Sequence, residues 1–399
     1  MDILEAKNIV IAAGEKLVEE GLIARTWGNI SARVDDKTFV ITPSGKPYIG
    51  LTPDDIVEVA IEDLAWEGDV KPSSEKGIHA EVYKKYTDAN FVIHTHQKVA
   101  SSVSVLKKGI DVLAGEAEKV IGSNILLAAY GLPGTGKLRK GVTAALHAST
   151  SKATVMAHHG ALCYGKDAEE AFEVASMLEK TSEEYLLAGA KEKYGVAVDT
   201  LDAFCELVVS KVTGESGNLS VDKSALYDSE CDREAGNIKL TNCANGEEMN
   251  IDLATGACDS NIYGTAAAHR AIYLSQPKFN YIVHNSDTET VAVSTIGKNM
   301  RPLLDDFAQL CGTKVKVAKN EADCGKKIKG KNAVLLKDRG ALCCGGVKSD
   351  AEAVSMIMSK ASLAQLATNV YDAAKPINPI EALLMRVIYL KKYSKQAEK

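Results

Sequence analysis

The chain repeats itself. His79-Ala80-Glu81-Val82-Tyr83, with Phe91-Val92-Ile93-His94 a little downstream, returns as His269-Arg270-Ala271-Ile272-Tyr273 with Tyr281-Ile282-Val283-His284, and both histidines are displaced by 190 residues. Gly28-Asn29-Ile30-Ser31 is echoed by Gly217-Asn218-Leu219-Ser220, and Gly160-Ala161-Leu162-Cys163 by Gly340-Ala341-Leu342-Cys343, at offsets of 189 and 180. Any one of these matches arises easily by chance. The set, in one order with slowly drifting offsets, requires one supersecondary plan to be built twice, with loops of different length. A chain of 399 residues has room for two such copies. The expected division is 1–197, 198–375 and a C-terminal helical tail, 376–399.

Within each copy, short β-rich runs alternate with helical ones. Ile3, Ile9, Ile11, Leu17 and Val18 follow helical spacing, Thr38 to Thr42 and Phe91 to Ile93 read as strands, and Ala168 to Ala188 reads as a long helix capped by Asp167. That alternation predicts an α/β fold, a sheet covered by helices. A net charge of −6 and a pI of about 5.9 give no support for nucleic-acid or anionic-membrane partners. No apolar run approaches the ~20 residues of a membrane span. The start MDILEAKNIV carries acids where a signal peptide has bases, so a cytoplasmic location is expected. Nine cysteines, none in a CxxC pair and eight of them beyond residue 200, read as reduced thiols.

The chemistry lies in the first copy. His94 and His96 are two apart on a strand and so share a face. A third imidazole, His159, is expected in Ala157-His158-His159-Gly160 at the end of another strand, with its neighbour His158 on that strand's opposite face. Pro72-Ser73-Ser74-Glu75 opens a helix whose hydroxyls and free N–H groups suit an anion and whose carboxylate can reach a metal. Three imidazoles with a carboxylate or water form a tetrahedral zinc set with one replaceable position. Taken alone, His94 and His96 also fit an ordinary strand that happens to carry two histidines.

In order and spacing, Gly28-Asn29-Ile30-Ser31, Thr42-Pro43-Ser44-Gly45, Pro72-Ser73-Ser74-Glu75, His94-Thr95-His96 and His158-His159-Gly160 resemble the class II aldolase/adducin family, well over roughly 3–190 and as a decayed copy over 200–370. The resemblance implies a three-layer α/β/α fold with a mostly antiparallel central sheet, in two tandem copies. It implies that His94, His96, His159 and Glu75 bind a metal, zinc or another divalent ion such as cobalt or manganese. It implies that Glu75 is the catalytic acid–base, and that Gly28, Asn29, Ser44, Gly45, Ser73 and Ser74 cradle a phosphate. The activity it implies is cleavage of a ketose 1-phosphate, a phosphorylated sugar, to dihydroxyacetone phosphate and an aldehyde. A 4-epimerase, a dehydratase or decarboxylase, and a non-catalytic adducin-like assembly module are the alternatives.

One departure bears on the reaction. Fuculose-phosphate aldolases carry a tyrosine about twenty residues beyond the HxH pair, where this chain reads Leu113-Ala114-Gly115-Glu116-Ala117-Glu118. Glu116 and Glu118 are candidate acids or bases in its place, or simply a solvated helix face. In the second copy His96 maps to Ser286, His159 to Arg339 and Glu75 near Thr265, so that copy reads as a scaffold. Because the family assembles as rings of four, a homo-oligomer is expected: a dimer of tandem chains forming a pseudo-tetramer.

Overall fold

The computed structural model describes residues 1–20, 27–215, 217–258 and 264–393. The chain falls into two compact units: Met1–Gly189 with Tyr371–Lys375 and the chain from Ile388, and Ala190–Val370 with Pro376–Val387. The last six residues of the expected tail, 394–399, lie outside the described residues.

In the first unit the elements run α1 (Ile3–Glu19), β1 (Asn29–Arg33), β2 (Thr38–Ile41), β3 (Val57–Ala60), α2 (Lys76–Lys85), β4 (Phe91–Thr95), α3 (Lys98–Val103), α4 (Gly115–Val120), β5 (Leu126–Ala128), α5 (Gly136–Ala148), β6 (Ala153–Met156), β7 (Ala161–Gly165) and α6 (Ala168–Tyr194). The strands form one sheet in the order β3-β2-β1-β4-β7-β6-β5. Every pairing is antiparallel except β5 with β6.

Side-chain alternation along β4 creates the two faces. Phe91 and Ile93 join Ala6, Val10, Ala13 and Leu17 of α1 and Phe172 of α6 in one cluster. Val92 joins Ile78 and Val82 of α2 and Val142 and Leu146 of α5 in the other. Three layers follow, helices on both faces of a largely antiparallel sheet. Burying one such side chain contributes about 1.5–3 kcal/mol, so each cluster outweighs any single cap. Local signals still set the helix ends. Asp2 Oδ1 accepts N–H bonds from Leu4 and Glu5 at 2.9 and 3.2 Å to start α1. Asp167 does the same for Glu170 at 2.9 Å in α6.

The second unit repeats the plan: α7 (Leu201–Thr213), β8 (Tyr227–Asp232), β9 (Asn237–Asn242), β10 (Glu248–Asp252), α8 (Ala266–Ser275), β11 (Tyr281–Asn285), α9 (Thr288–Ile296), α10 (Asp305–Cys311), β12 (Val317–Ala318), α11 (Cys324–Lys327), β13 (Ala333–Leu336), β14 (Gly340–Gly345), α12 (Lys348–Ala367) and α13 (Pro379–Ile388). Its sheet runs β10-β9-β8-β11-β14-β13-β12, with β12–β13 the parallel pair. Among the described residues no helix is long and apolar enough to cross a membrane.

The register corrects one of the repeat matches. Ser31 pairs with Val92 in the first sheet, and Ser229 pairs with Ile282 in the second. Val92 and Ile282 are 190 residues apart, so the counterpart of Ser31 is Ser229, not Ser220. Gly217-Asn218-Leu219-Ser220 precedes β8 and belongs to no strand. There Asn218 Oδ1 accepts the Ser220 N–H at 3.0 Å, a local turn that any Asn-x-Ser can form.

Candidate metal centre

Three neighbouring elements carry the four groups. His94 is the last but one residue of β4, and His96 lies just beyond the strand's end at Thr95. Glu75 sits just before α2, where Ser73 Oγ accepts its N–H at 3.2 Å. His159 arrives through the tight β6–β7 connection. His159 N–H donates to Met156 O at 3.0 Å, Met156 N–H donates to Gly160 O at 2.7 Å, and His158 is left-handed at φ 63°. A Cβ on Gly160 would stand 2.3 Å from Thr95 O, so only glycine lets this turn lie against β4. The strand expected to hold His158 and His159 therefore ends at Met156. His158 belongs to the turn, with its ring edge-on to Tyr130 at 5.3 Å, rather than on the far face of a strand.

The ring nitrogens of His94, His96 and His159 lie within 4.8 Å of one another, and all three residues are buried. His94 Nε2 is 3.1 Å from His96 Nε2 and 3.2 Å from Glu75 Oε2; His159 Nε2 is 3.0 Å from Glu75 Oε1. His94 Nδ1 is 2.8 Å from Ala161 O. A carbonyl only accepts, so Nδ1 donates to it and Nε2 is the nitrogen that faces the centre. The backbone partner thereby fixes the ring orientation a metal ligand needs. Burial alone would raise the Glu75 carboxyl, but the His159 and His94 rings beside it hold it well below the usual carboxylate range. Several imidazole nitrogens and an ionised carboxylate converging in a buried place fit a divalent cation.

A second chain of polar groups backs Glu75. Asn29 Nδ2 donates to Glu75 Oε2 at 3.2 Å, and His79 Nε2 donates to Asn29 Oδ1 at 2.5 Å. His79 Nδ1 therefore accepts from Ser31 Oγ at 2.7 Å, and Ser31 Oγ is 2.7 Å from the Tyr83 hydroxyl. The sequence marks His79, four residues after Glu75 on a helix, as a structural hydrogen-bonding residue, but not its partners Asn29 and Ser31. The trace of the chain was the spacing of Glu75, His79 and Tyr83, four residues apart along one helical stripe. The other proposed phosphate groups gather beside it. Pro43 bridges Pro72, Ser44 N–H donates to Lys71 O at 2.9 Å and Ser73 N–H to Thr42 O at 3.0 Å. Gly28, Ser44 and Gly45 are partly exposed, Ser74 is exposed, and Ser73 is buried. Gly28 and Gly45 are left-handed, at φ 93° and 76°. Glu116 and Glu118 are exposed on α4, where Glu116 lies 3.8 Å from Lys180.

The second unit keeps the inner half of the polar chain and, among the described residues, lacks the outer half. Ser229 Oγ is 2.6 Å from His269 Nδ1 and 2.8 Å from the Tyr273 hydroxyl. Tyr227 stands where β1 has Asn29, and Thr265 precedes α8 as Glu75 precedes α2. His284 donates through Nε2 to Arg339 O at 2.6 Å, and Arg339 pairs with Glu321. The Ser–His–Tyr trio is thus a joint between helix and sheet, and Asn29 is what ties that joint to the candidate site.

Burial pushes His79 and His269 down to about 3 and His284 down to about 4. Each native ring stays neutral where the unfolded chain, with pKa about 6.5, takes up a proton. The unfolded state then binds more protons, so this stabilisation is complete above pH 6.5 and is lost as pH falls towards 3–4. At pH 5 the loss is about 2 kcal/mol per histidine relative to pH 7. Urea titrations at the two pH values should show it, and His269→Gln should remove about one histidine's share. A variant with the wild-type pH dependence would contradict the assignment.

The model of the Class II Aldolase and Adducin N-terminal domain matches residues 8–186 and again 212–368. A 5-methylthioribulose-1-phosphate/5-deoxyribulose-1-phosphate aldolase of Rhodospirillum rubrum is 32% identical over 176 residues, 44% of this chain and 78% of that protein. An L-fuculose phosphate aldolase of Methanocaldococcus jannaschii is 30% identical over 185 residues, 45% of this chain and 96% of that protein. Among solved structures, an L-fuculose 1-phosphate aldolase is similar with a TM-score of 0.44 and 28% identity, over 49% of this chain and 90% of that one.

Proposed function

Because the chain belongs to the class II aldolase and adducin family, in two tandem copies, we propose that its first copy is a metal-dependent aldolase acting on a ketose 1-phosphate. The observation that carries the reading is the Glu75 carboxylate, buried between His94 and His159 with His96 alongside. His94, His96 and His159, with Glu75 beside them, would hold a divalent ion, with zinc favoured by a set of imidazoles and a carboxylate. Such an ion, when bound, supplies Lewis-acid stabilisation of the negative charge that develops as a carbon–carbon bond breaks.

The chain's own groups supply the rest. Cleavage breaks the C3–C4 bond, the C4 hydroxyl gives up its proton as the aldehyde forms, and C3 gains a proton to complete dihydroxyacetone phosphate. Glu75, a carboxylate at rest, would take up a proton released by the C4 hydroxyl or drawn from bulk water and deliver it to C3. Asn29 fixes the carboxylate's orientation from one side. Gly28, Ser44, Gly45, Ser73 and Ser74 surround the phosphate with small donors, a cradle that needs no lysine. The second copy lacks the ligands and serves as a scaffold.

The test is a screen of phosphorylated ketoses with zinc, cobalt or manganese, read by release of dihydroxyacetone phosphate. Metal-dependent release from at least one ketose 1-phosphate is expected. An epimerised pentose phosphate with no release, or a dehydrated product, would replace this reading.

A further inference from the structure

We infer that Glu179, on α6, is a positioning residue for the metal centre: its carboxylate clamps the first turn of α3 and so fixes the backbone that presents His96. The inference rests on the reading of His94, His96 and His159 as a metal site.

His96 lies between β4 and α3, in a segment that no sheet pairing holds. Gln97 is the N-cap of α3, but its side chain makes no cap bond. Glu179 does that work from another helix. Its Oε1 accepts the Val99 N–H at 2.7 Å and its Oε2 accepts the Ala100 N–H at 2.9 Å. These are two of the four N–H groups that a helix start leaves unpaired. Both bonds are charge-assisted, and the carboxylate also faces the positive end of the helix. One turn earlier on α6, Ala175 O accepts Gln97 Nε2 at 2.7 Å, and Gln97 Oε1 accepts the Thr95 hydroxyl at 2.8 Å. His96 is therefore bracketed, with Thr95 and Gln97 tied on either side and the α3 start pinned beyond.

The second copy shows what the clamp is for. At the offset of 180 that relates Gly160 to Gly340, Glu179 becomes Ser359. Ser359 Oγ donates to Asp287 Oδ2 at 2.5 Å, and Asp287, the N-cap of α9, makes no side-chain cap bond. Asn285, at the position of Thr95, donates to Ser359 Oγ at 2.7 Å. At the position of Glu179 the same packing of strand, helix start and long helix thus uses a serine hydroxyl instead of a carboxylate. The clamp accompanies the histidine ligand, not the fold.

The test uses the full-length chain, freed of metal by chelation and titrated with cobalt(II) alone, read by visible absorption. Glu179→Gln keeps the size of the side chain but turns an NH2 group towards one of the two N–H donors. It should weaken cobalt binding roughly 10–100-fold, the effect of removing an outer support of a ligand, and change the cobalt band. Leu178→Ala, which opens the core one residue away, should destabilise the fold and leave cobalt affinity within about two-fold. Should Glu179→Gln fail to fold, Glu179→Asp, one methylene too short to reach both N–H groups, reads the same quantity. Unchanged affinity and spectrum in the Glu179 variant overturn the inference, as does an equal loss in Leu178→Ala. Absence of cobalt binding by the wild type overturns the reading of the metal centre, and this inference with it.

Discussion

Glu75→Gln is expected to keep the fold and most of the bound metal while turnover falls by roughly 10²–10⁴-fold, the usual contribution of a positioned proton carrier. The glutamine is nearly isosteric, so Asn29 keeps an acceptor within reach and the buried chain through His79 stays closed. What is lost is the ionised carboxylate that the His159 and His94 rings hold far below the ordinary carboxylate range. An amide cannot take up or return a proton at neutral pH. The measurement pairs kcat for dihydroxyacetone phosphate release with metal content on the same preparation. Full activity would remove Glu75 from the proton path. Joint loss of metal and activity would make it chiefly a ligand.

His96→Ala should strip the metal. The wild type is expected to hold one divalent ion per chain, because among the described residues three imidazoles and a carboxylate come together in the first copy alone. Removing one imidazole leaves the set incomplete, and the loss of affinity should exceed the roughly 10–100-fold typical of an outer support. Elemental analysis after dialysis reads it directly, with turnover falling in parallel and the far-ultraviolet circular dichroism unchanged. Two ions per chain in the wild type, or unchanged content in the variant, would place the metal elsewhere.

Much of this was legible in the sequence because it obeys short periods. The two-residue period of a strand puts His94 and His96 on one side, and the ordered repeats imply two sheets of one topology. Legibility failed where partners are far apart or local chemistry imitates a motif. Asn29 meets Glu75 and His79 across 46 and 50 residues, and nothing in a linear pattern announces which way an amide points. Gly217-Asn218-Leu219-Ser220 matched the first copy's motif through common turn chemistry, while the true counterpart, Ser229, is identified by sheet register and by its bonds to His269 and Tyr273. His158 was misread because a run of apolar residues does not show where a strand stops. The left-handed residue and the tight Gly160 contact end β6 there.

The trio of serine, histidine and tyrosine that locks helix to sheet in both units has a consequence for how the protein acquires its ion. The second unit closes the same joint although Ser286, Arg339 and Thr265 stand where the first has His96, His159 and Glu75, so formation of this architecture should not wait for metal, unlike small domains in which binding and folding are one event. The first unit should then emerge from synthesis already shaped and be charged afterwards. Its occupancy would be set by the free-ion concentration around it and by competition among divalent species. A chelator would silence the protein without unfolding it, and the same molecule would recover when the ion returns.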